Sequence, residues 1–453
     1  MRYTVDTETG TIQQTLRKNL CILCGTCVAA CPEGCITVGF DNSYKIRLDQ
    51  SLCRECSRCL DACPGLNIHN YQKKAPGSLE NYYLGEYLSV FSGYSTNFLR
   101  RVHGSSGGVA TEILLYLLEK KLIEGAVVTR FSSGSVLRPE AFIAETADEI
   151  TGARGSKYSP VPVNVLLREI NFSKKYAWVG LPCHLQGLRL FLKQNTHLPA
   201  ENILTLGLFC SRTNRIQATR ELLRRQQINE DALAGIAYRG HGHPGCFTIS
   251  TTDGGQKTVP HLSGAYWGLL FKKYFVQHRC WLCPDKTAFF SDISLGDDWS
   301  KPPAQDKVGT SVVLARTGAA LEILQAMRSE NRLFLEKIAP ETVIRCQGLP
   351  EKMNIAKRAR IARLCNKAVP EYRGYTFRTE KAPYRHELGM FLRIHLRSPF
   401  LLRHLITIDL LLYGCLQRLL PVASAARPGK LYKRLKKFAA KLLRAARRRF
   451  STT

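Results

Sequence analysis

Apolar and polar positions alternate along this chain in two rhythms, and the change between them marks its parts. In the first seventy residues the apolar runs are short, and "CITVGF" and "YKIRLD" predict two small strands. From Ser89 onward longer runs such as "GAVVTR", "YAWVG" and "ILTLGLFC" take turns with helical stretches such as "VATEILLYLLEKK". That pattern predicts α/β layers. The polar stretch "QKKAPGSLENYYLGEY", about residues 72–87, predicts the boundary between the two parts. Near the end, "FLLRHLITIDLLLYGCLQRLL" (400–420) is apolar over a membrane-spanning length but contains Arg403, His404, Asp409 and Arg418. Each central charge costs about 2.5–3.5 kcal/mol on insertion, so no spanning helix is expected. After Pro428–Gly429, Leu431, Leu435, Phe438, Leu442 and Ala446 fall on one helical face among lysines and arginines. A basic amphipathic helix of this kind suits an anionic membrane surface, against the alternatives of a disordered basic tail or a nucleic-acid contact.

Composition sharpens this division. At 453 residues with 45% hydrophobic positions, the chain has material for two or three domains. The net charge is +29, but from Glu351 onward 25 Lys/Arg stand against 5 Asp/Glu, so +20 belongs to that segment. The excess therefore describes the C-terminal part, and nucleic-acid binding by the whole body is not expected. The start, "MRYTVDTETGTIQQTLRKNL", has no apolar core of a secretory signal, which predicts a cytoplasmic protein with reduced thiols. Seventeen cysteines in that setting read as metal ligands.

Eight of them form a repeat. Cys21, Cys24, Cys27 and Cys31 follow C-x2-C-x2-C-x3-C with Pro32 next, and Cys53, Cys56, Cys59 and Cys63 repeat it with Pro64 next. Three closely spaced thiolates wrap one cubane, and the fourth, before proline, reaches the other. The expected sets are Cys21, Cys24, Cys27 and Cys63 for one [4Fe–4S] cluster, and Cys53, Cys56, Cys59 and Cys31 for the second. A pair of zinc knuckles, or eight redox-silent thiols, is the competing reading. Cys35 has no place in the pattern and is expected to be a spectator. Residues 14–70 resemble the two-cluster bacterial ferredoxins.

In the body, Ser105, Ser106, Gly107 and Gly108 directly precede an amphipathic helix, a setting open to an anionic phosphate or to an ordinary N-cap turn. "GARGSKYSP" offers Arg154, Ser156, Lys157 and Tyr158 in a second glycine-bounded loop. Cys183 follows the strand Tyr176–Gly180 at a helix N-terminus, and Cys210 ends another apolar strand. Ligands gather outside the carboxyl ends of such strands. Together with the pair Cys280 and Cys283, these two cysteines suggest a third [4Fe–4S] cluster, although scattered cysteines are also often buried hydrophobes. Asp297 and Asp298 are either acid–base groups or, more commonly in such a place, caps of the turn before Trp299.

"GSSGGVAT", "GSKY", "GLPCHLQGLR", "YRGHGHPG" and "CWLCPDKTAFFSDISLGDDW" occur in this order. Over residues 95–350 the chain resembles the coenzyme F420 hydrogenase/dehydrogenase beta-subunit family, FAD-containing iron–sulfur oxidoreductases. The resemblance implies that Ser105 to Gly108 and Thr111 hold FAD phosphate or ribose. It also implies that Ser156, Lys157 and Tyr158 lie near the isoalloxazine and that the four body cysteines hold a cluster. Lys157 and His184 are the implied, weak candidates for a catalytic proton. His243, followed by Cys246, stands where relatives carry an aromatic residue, which leaves the substrate open.

The expected fold class is α+β. A ferredoxin-like two-cluster domain (1–75) and a linker (76–94) precede an α/β FAD and iron–sulfur domain (95–182 and 183–350), and a basic helical tail follows (351–453). The implied function is electron passage between an organic two-electron substrate, with coenzyme F420 as one option, then FAD, the clusters and an external one-electron partner. The alternatives are a ferredoxin-dependent reductase of a cell-envelope or lipid-linked metabolite and a polyferredoxin-like carrier without flavin. A peripheral site on the cytoplasmic membrane face is expected from the tail.

Overall fold

The computed structural model describes residues 10–69, 79–261, 271, 273–302, 304–378, 383–396 and 398–423. The expected basic amphipathic helix after Pro428 lies outside the described residues.

The N-terminal part is small, as its short apolar runs require. Strands Ile36–Phe40 and Tyr44–Leu48 pair antiparallel, and the short helices Thr26–Ala30 and Arg58–Asp61 each follow the first half of one cysteine motif. Its core is built largely of thiols: Cys27, Cys31, Cys35, Cys59 and Cys63 are buried with Ile12, Leu20, Val28 and Ile36.

The body is organised by an eight-stranded sheet. Four central strands, Gly125–Ser132, Tyr176–Gly180, Ile203–Leu208 and Ile293–Asp297, run parallel. Strand Ser135–Ala144 pairs antiparallel outside Gly125–Ser132. On the other side Ser311–Ala315, Ser89–Ser95 and Leu333–Lys337 continue the sheet antiparallel. Alternation along the strands feeds two cores. Ala126, Val128, Ala177 and Leu206 pack with helices Val109–Glu119 and Gly318–Ser329, while Val127, Tyr176, Trp178 and Ile203 pack with helix Pro182–Gln194. A separate antiparallel sheet of Leu233–Ala237, Cys246–Thr251 and Gln256–Pro260 carries its own core.

The two parts meet closely. Gly187, in helix Pro182–Gln194, faces the helix Thr26–Ala30, and a Cβ there would lie 2.2 Å from Thr26 Oγ1. Only a glycine admits that approach. Asn164, fully buried, ties the contact by donating through Nδ2 to Thr26 Oγ1 and to the His184 carbonyl, each at 2.8 Å.

The segment after 350 differs from the expected tail as far as it is described. Strand Glu371–Arg373 pairs parallel with Asn67–His69 of the N-terminal part. Helices Ile355–Leu364 and Tyr384–His395 bury Ala359, Ile361, Met390, Phe391 and Ile394 against Cys24, Cys280 and Trp281. Its charge gives no hint of this, because the packing uses the apolar faces of helices whose basic residues point elsewhere or find partners. Arg358, for example, is buried and pairs with Glu387 at 2.8 Å.

One buried carboxylate staples the sheet edge. Glu112 accepts from Arg100 Nη1, Ser95 Oγ and Arg332 Nε at 2.7–2.8 Å. Burial disfavours its charge, but these donors outweigh burial and hold its carboxyl below the usual glutamate range. Glu112→Ala is expected to cost about 2–3 kcal/mol, less than for a fully enclosed pair because both arginines keep water contact. A depressed carboxylate stabilises fully above its unfolded value near pH 4.3 and loses that contribution as pH falls through the native value. The urea midpoints of wild type and Glu112→Gln should therefore converge below about pH 4.

Candidate functional site

The fold brings the thiols of the repeated motif into two adjoining neighbourhoods. Cys21, Cys24, Cys27 and Cys63 lie within electrostatic reach of one another, and burial pushes Cys21 up to about 12 and Cys24 up to about 11. Donors already point at this group: Leu23 N–H lies 3.4 Å from Cys21 Sγ and Thr26 Oγ1 lies 3.3 Å from Cys24 Sγ. Cys31, Cys53, Cys56 and Cys59 line one narrow cleft, and Cys35 lines it with them. Among the described residues no three His, Cys, Asp or Glu converge tightly enough to hold a single metal ion. A cubane makes a different demand, since its four thiolates bind four separate irons. Soft sulfur donors in fours fit that group.

The topology gathers the other four thiols, which no short motif could. Cys183 sits at the second position of helix Pro182–Gln194, just past strand Tyr176–Gly180, and Cys210 lies two residues past Ile203–Leu208. These strands are parallel neighbours, so their carboxyl ends lie side by side. Burial drives Cys183 well above its ordinary value, with Cys210, Cys280, Cys24 and Cys283 adding to the shift. The body set is thus in reach of Cys24 of the first set. Cys24, Cys280 and Trp281 share one buried cluster, with Cys183 packed against it. Arg212, Arg279 and Lys286 stand close enough to these thiols to offset their negative charge when ionised.

The glycine-rich turn lies at the same edge of the sheet, beyond the strands on its other side. Gly108 caps helix Val109–Glu119 at φ 73°, and a Cβ on Gly107 would meet the Gly93 carbonyl at 2.7 Å. Ser105 Oγ accepts from the Ser156 amide at 2.9 Å, so the two predicted loops are joined. Thr111 is half-buried in the first turn of the helix. Tyr158 packs edge-on against Tyr238. Lys157 spends its ammonium on the carbonyls of Ala153, Gly155 and Arg154, capping the helix before it, and burial lowers it to about 8. His184 is buried and accepts the Leu181 amide on Nδ1 at 3.2 Å, and burial lowers it to about 4. Both candidates for a catalytic proton therefore serve the local backbone. Asp298 Oδ1 accepts the Ser300 amide at 2.9 Å, which is the turn cap expected before Trp299.

The residue that joins these pieces is Arg239, inside "YRGHGHPG". Its guanidinium donates to Asp297 Oδ2 at 2.8 Å, to the Ser105 carbonyl at 2.5 Å and to Tyr158 Oη at 3.4 Å. Its Nε–H is buried and has no partner among the described residues. A buried donor left over beside a glycine turn fits an anionic group such as a phosphate. Sequence reading missed Arg239 because Ser105 and Asp297 lie 134 and 58 positions away. The only local signal is a charged residue at the mouth of a glycine-rich stretch. His243 is buried beside Trp299, ring centroids 4.6 Å apart, and among the described residues neither ring nitrogen has a partner.

A cavity of about 220 Å³ opens between the N-terminal hairpin and the body. Cys21, Tyr44, Ser159 and His278 line it, so the residue after the "GSKY" loop and a thiol of the first set face one space.

Comparison with known proteins agrees with this layout. Residues 20–65 match the 4Fe-4S dicluster domain. Residues 90–168 and 173–341 match the N-terminal and C-terminal parts of the coenzyme F420 hydrogenase/dehydrogenase beta subunit. The chain is 26% identical to a coenzyme F420-dependent sulfite reductase of Methanocaldococcus jannaschii over 72% of its own length and 49% of that protein. It therefore spans about half of that relative. It is 27% identical to a coenzyme F420 hydrogenase subunit beta of Methanosarcina barkeri, over 52% of this chain and 80% of the subunit. A chain in the solved F420-reducing [NiFe] hydrogenase complex of the same organism shares the fold. The TM-score is 0.50 at 23% identity, over 63% of this chain and 97% of that one.

Arg239→Met would strand Asp297 and the Ser105 carbonyl at once. The expected cost is about 3–5 kcal/mol, as for removing one partner of a buried ion pair. Proteolytic nicking should rise at both 105–108 and 155–158, and an unchanged urea midpoint would contradict the joining role.

Proposed function

This chain belongs to the coenzyme F420 hydrogenase/dehydrogenase beta-subunit family, with a 4Fe-4S dicluster domain on the same polypeptide, and we propose that it moves electrons between an organic two-electron substrate and a one-electron partner. The observation that carries the proposal is the junction. Thiols of the N-terminal repeat and thiols of the body lie in one buried contact, Cys24 against Cys183 and Cys280. Cys21, Cys24, Cys27 and Cys63 would hold one cubane, Cys31, Cys53, Cys56 and Cys59 a second, and Cys183, Cys210, Cys280 and Cys283 a third. The body thiols hold their positions through strand ends, and Arg212, Arg279 and Lys286 lower the cost of ionising them in a buried place.

Ser105 to Gly108 and Thr111 would hold the phosphate and ribose of FAD, with Ser156, Lys157 and Tyr158 near its ring and the free Nε–H of Arg239 toward its anionic part. The flavin, when bound, supplies the exchange between hydride and single electrons. The chain's residues position it at the carboxyl-end edge of the sheet and keep water from the buried thiols. The cavity between Cys21 and Ser159 supports an approach path for a small redox partner. Reduced coenzyme F420 is the proposed substrate, drawn from what the relatives' names say they use.

Attachment to a membrane surface is the second part of the proposal. No helix among the described residues is long and apolar enough to cross a membrane. Helix Tyr384–His395 buries Met390, Phe391 and Ile394 yet exposes Tyr384, Leu388 and Leu392, one stripe at helical spacing. The next helix, Pro399–Ala423, likewise exposes Phe400, Leu401 and Leu405 beside Arg403. Exposed apolar stripes on these two helices, each with a net charge of +1, in a segment whose basic excess lies mostly elsewhere, support docking to a membrane surface on the cytoplasmic face.

Anaerobically purified protein should contain about 12 iron atoms per chain at four per cubane, falling by about four in Cys280→Ser. Acid extraction should release FAD, and reduced coenzyme F420 should bleach both chromophores. Protein with iron but no flavin and no turnover would instead be an electron carrier. Full-length protein should co-sediment with anionic but not neutral vesicles. A double Leu388→Asp, Leu392→Asp variant should bind at least tenfold more weakly, and equal binding by both would remove these helices from the attachment.

A further inference from the structure

Cys35 lies outside the repeated motif, yet the fold does not leave it aside. It is 3% exposed and lines the same cleft as Cys31, Cys53, Cys56 and Cys59. Its Sγ stands 3.2 Å from Cys31 Sγ. Its backbone is anchored, because the Asp49 amide donates to its carbonyl at 2.8 Å and strand Ile36–Phe40 begins at the next residue. A buried thiol held at that distance from a second sulfur has a role open to it that displaces no ligand. It can donate an S–H···S hydrogen bond.

The direction of that bond follows from the motif. Cys31, the fourth cysteine before Pro32, would bind iron as a thiolate and has no proton to give. The proton on the pair then belongs to Cys35. A hydrogen bond to a ligand sulfur draws charge from the cluster and favours the reduced form, so it raises the reduction potential. The first set has comparable donors of other kinds, the Thr26 hydroxyl on Cys24 and the Leu23 amide on Cys21. We propose that Cys35 is a positioning residue of the second N-terminal cluster, its thiol donating to the Cys31 thiolate and setting that cluster's potential above that of an otherwise identical site.

The inference rests on two cubanes being held by the repeat, and the test separates the two claims. Anaerobic wild-type, Cys35→Ala and Cys35→Ser holoproteins are compared by iron content and by redox titration followed by electron paramagnetic resonance. The expected result is full iron in all three, one cluster potential shifted negative in Cys35→Ala, and the others unmoved. Cys35→Ser keeps a donor of similar size and should restore most of the shift, which a purely structural role would not predict. Full iron with no change of potential in Cys35→Ala would overturn the donor role while leaving the clusters in place. Loss of about four irons in Cys35→Ala alone would also overturn it, because Cys35 would then be a ligand itself. Wild-type protein without iron at the repeat would instead refute the reading on which the inference rests.

Discussion

Two halves that fold by different rules must bring their thiols within reach of one another, and that contact places the tightest constraint on this molecule. The N-terminal part is too small to build a large apolar core, and much of what it buries is cysteine. It is therefore held from outside. Arg279, 2% exposed, reaches across to the carbonyls of Pro64 and Gly65, at 2.7 and 2.9 Å, beside the last cysteine of the second motif. Asn164 and the bare face at Gly187 fix the opposite side. A guanidinium is expensive to bury, and here it is satisfied by backbone oxygens that only the folded partner can present. The same residue neighbours Cys280, so the group that docks the halves also stands beside the body thiols.

The sheet supplies the second constraint. Parallel strands present their carboxyl ends together, and this chain loads that edge with chemistry from widely separated segments. Cys183 and Cys210 follow adjacent strands, and Asp297 ends the third. The glycine turn meets the antiparallel flank of the same edge through Gly107 N–H on Ser311 Oγ at 3.0 Å. Arg239 then binds the turn, the loop at Tyr158 and Asp297 into one unit, so the proposed anion-facing region and the sheet edge move together. The buried ring of His243 sits beside that unit, against Trp299.

The basic C-terminal segment shows how charge can mislead about architecture. Its described helices contribute buried apolar faces to both halves, and its short strand completes a two-stranded pair with the N-terminal part. Net charge reports on solvent-facing atoms and on long side chains whose tips reach water, whereas docking depends on which few positions per turn are apolar.

The sequence by itself determined the features whose causes are local. The eight repeated cysteines sit at fixed spacing with prolines behind them, the strand–helix alternation sets the layers, and strand Tyr176–Gly180 followed by a helix carrying Cys183 is legible because apolar runs and turn residues act over a few positions. The family resemblance is carried by the same short stretches. Tertiary structure alone decided which distant groups meet. It joined Arg239 to Ser105 and Asp297, brought Cys24 to Cys183, folded residues 355–395 onto both halves, and moved Cys35 from spectator to the edge of the second thiol set. The physical reason is that such pairs follow from strand order and domain docking. Those are settled by the packing of whole faces, and no residue's near neighbours in the chain record it.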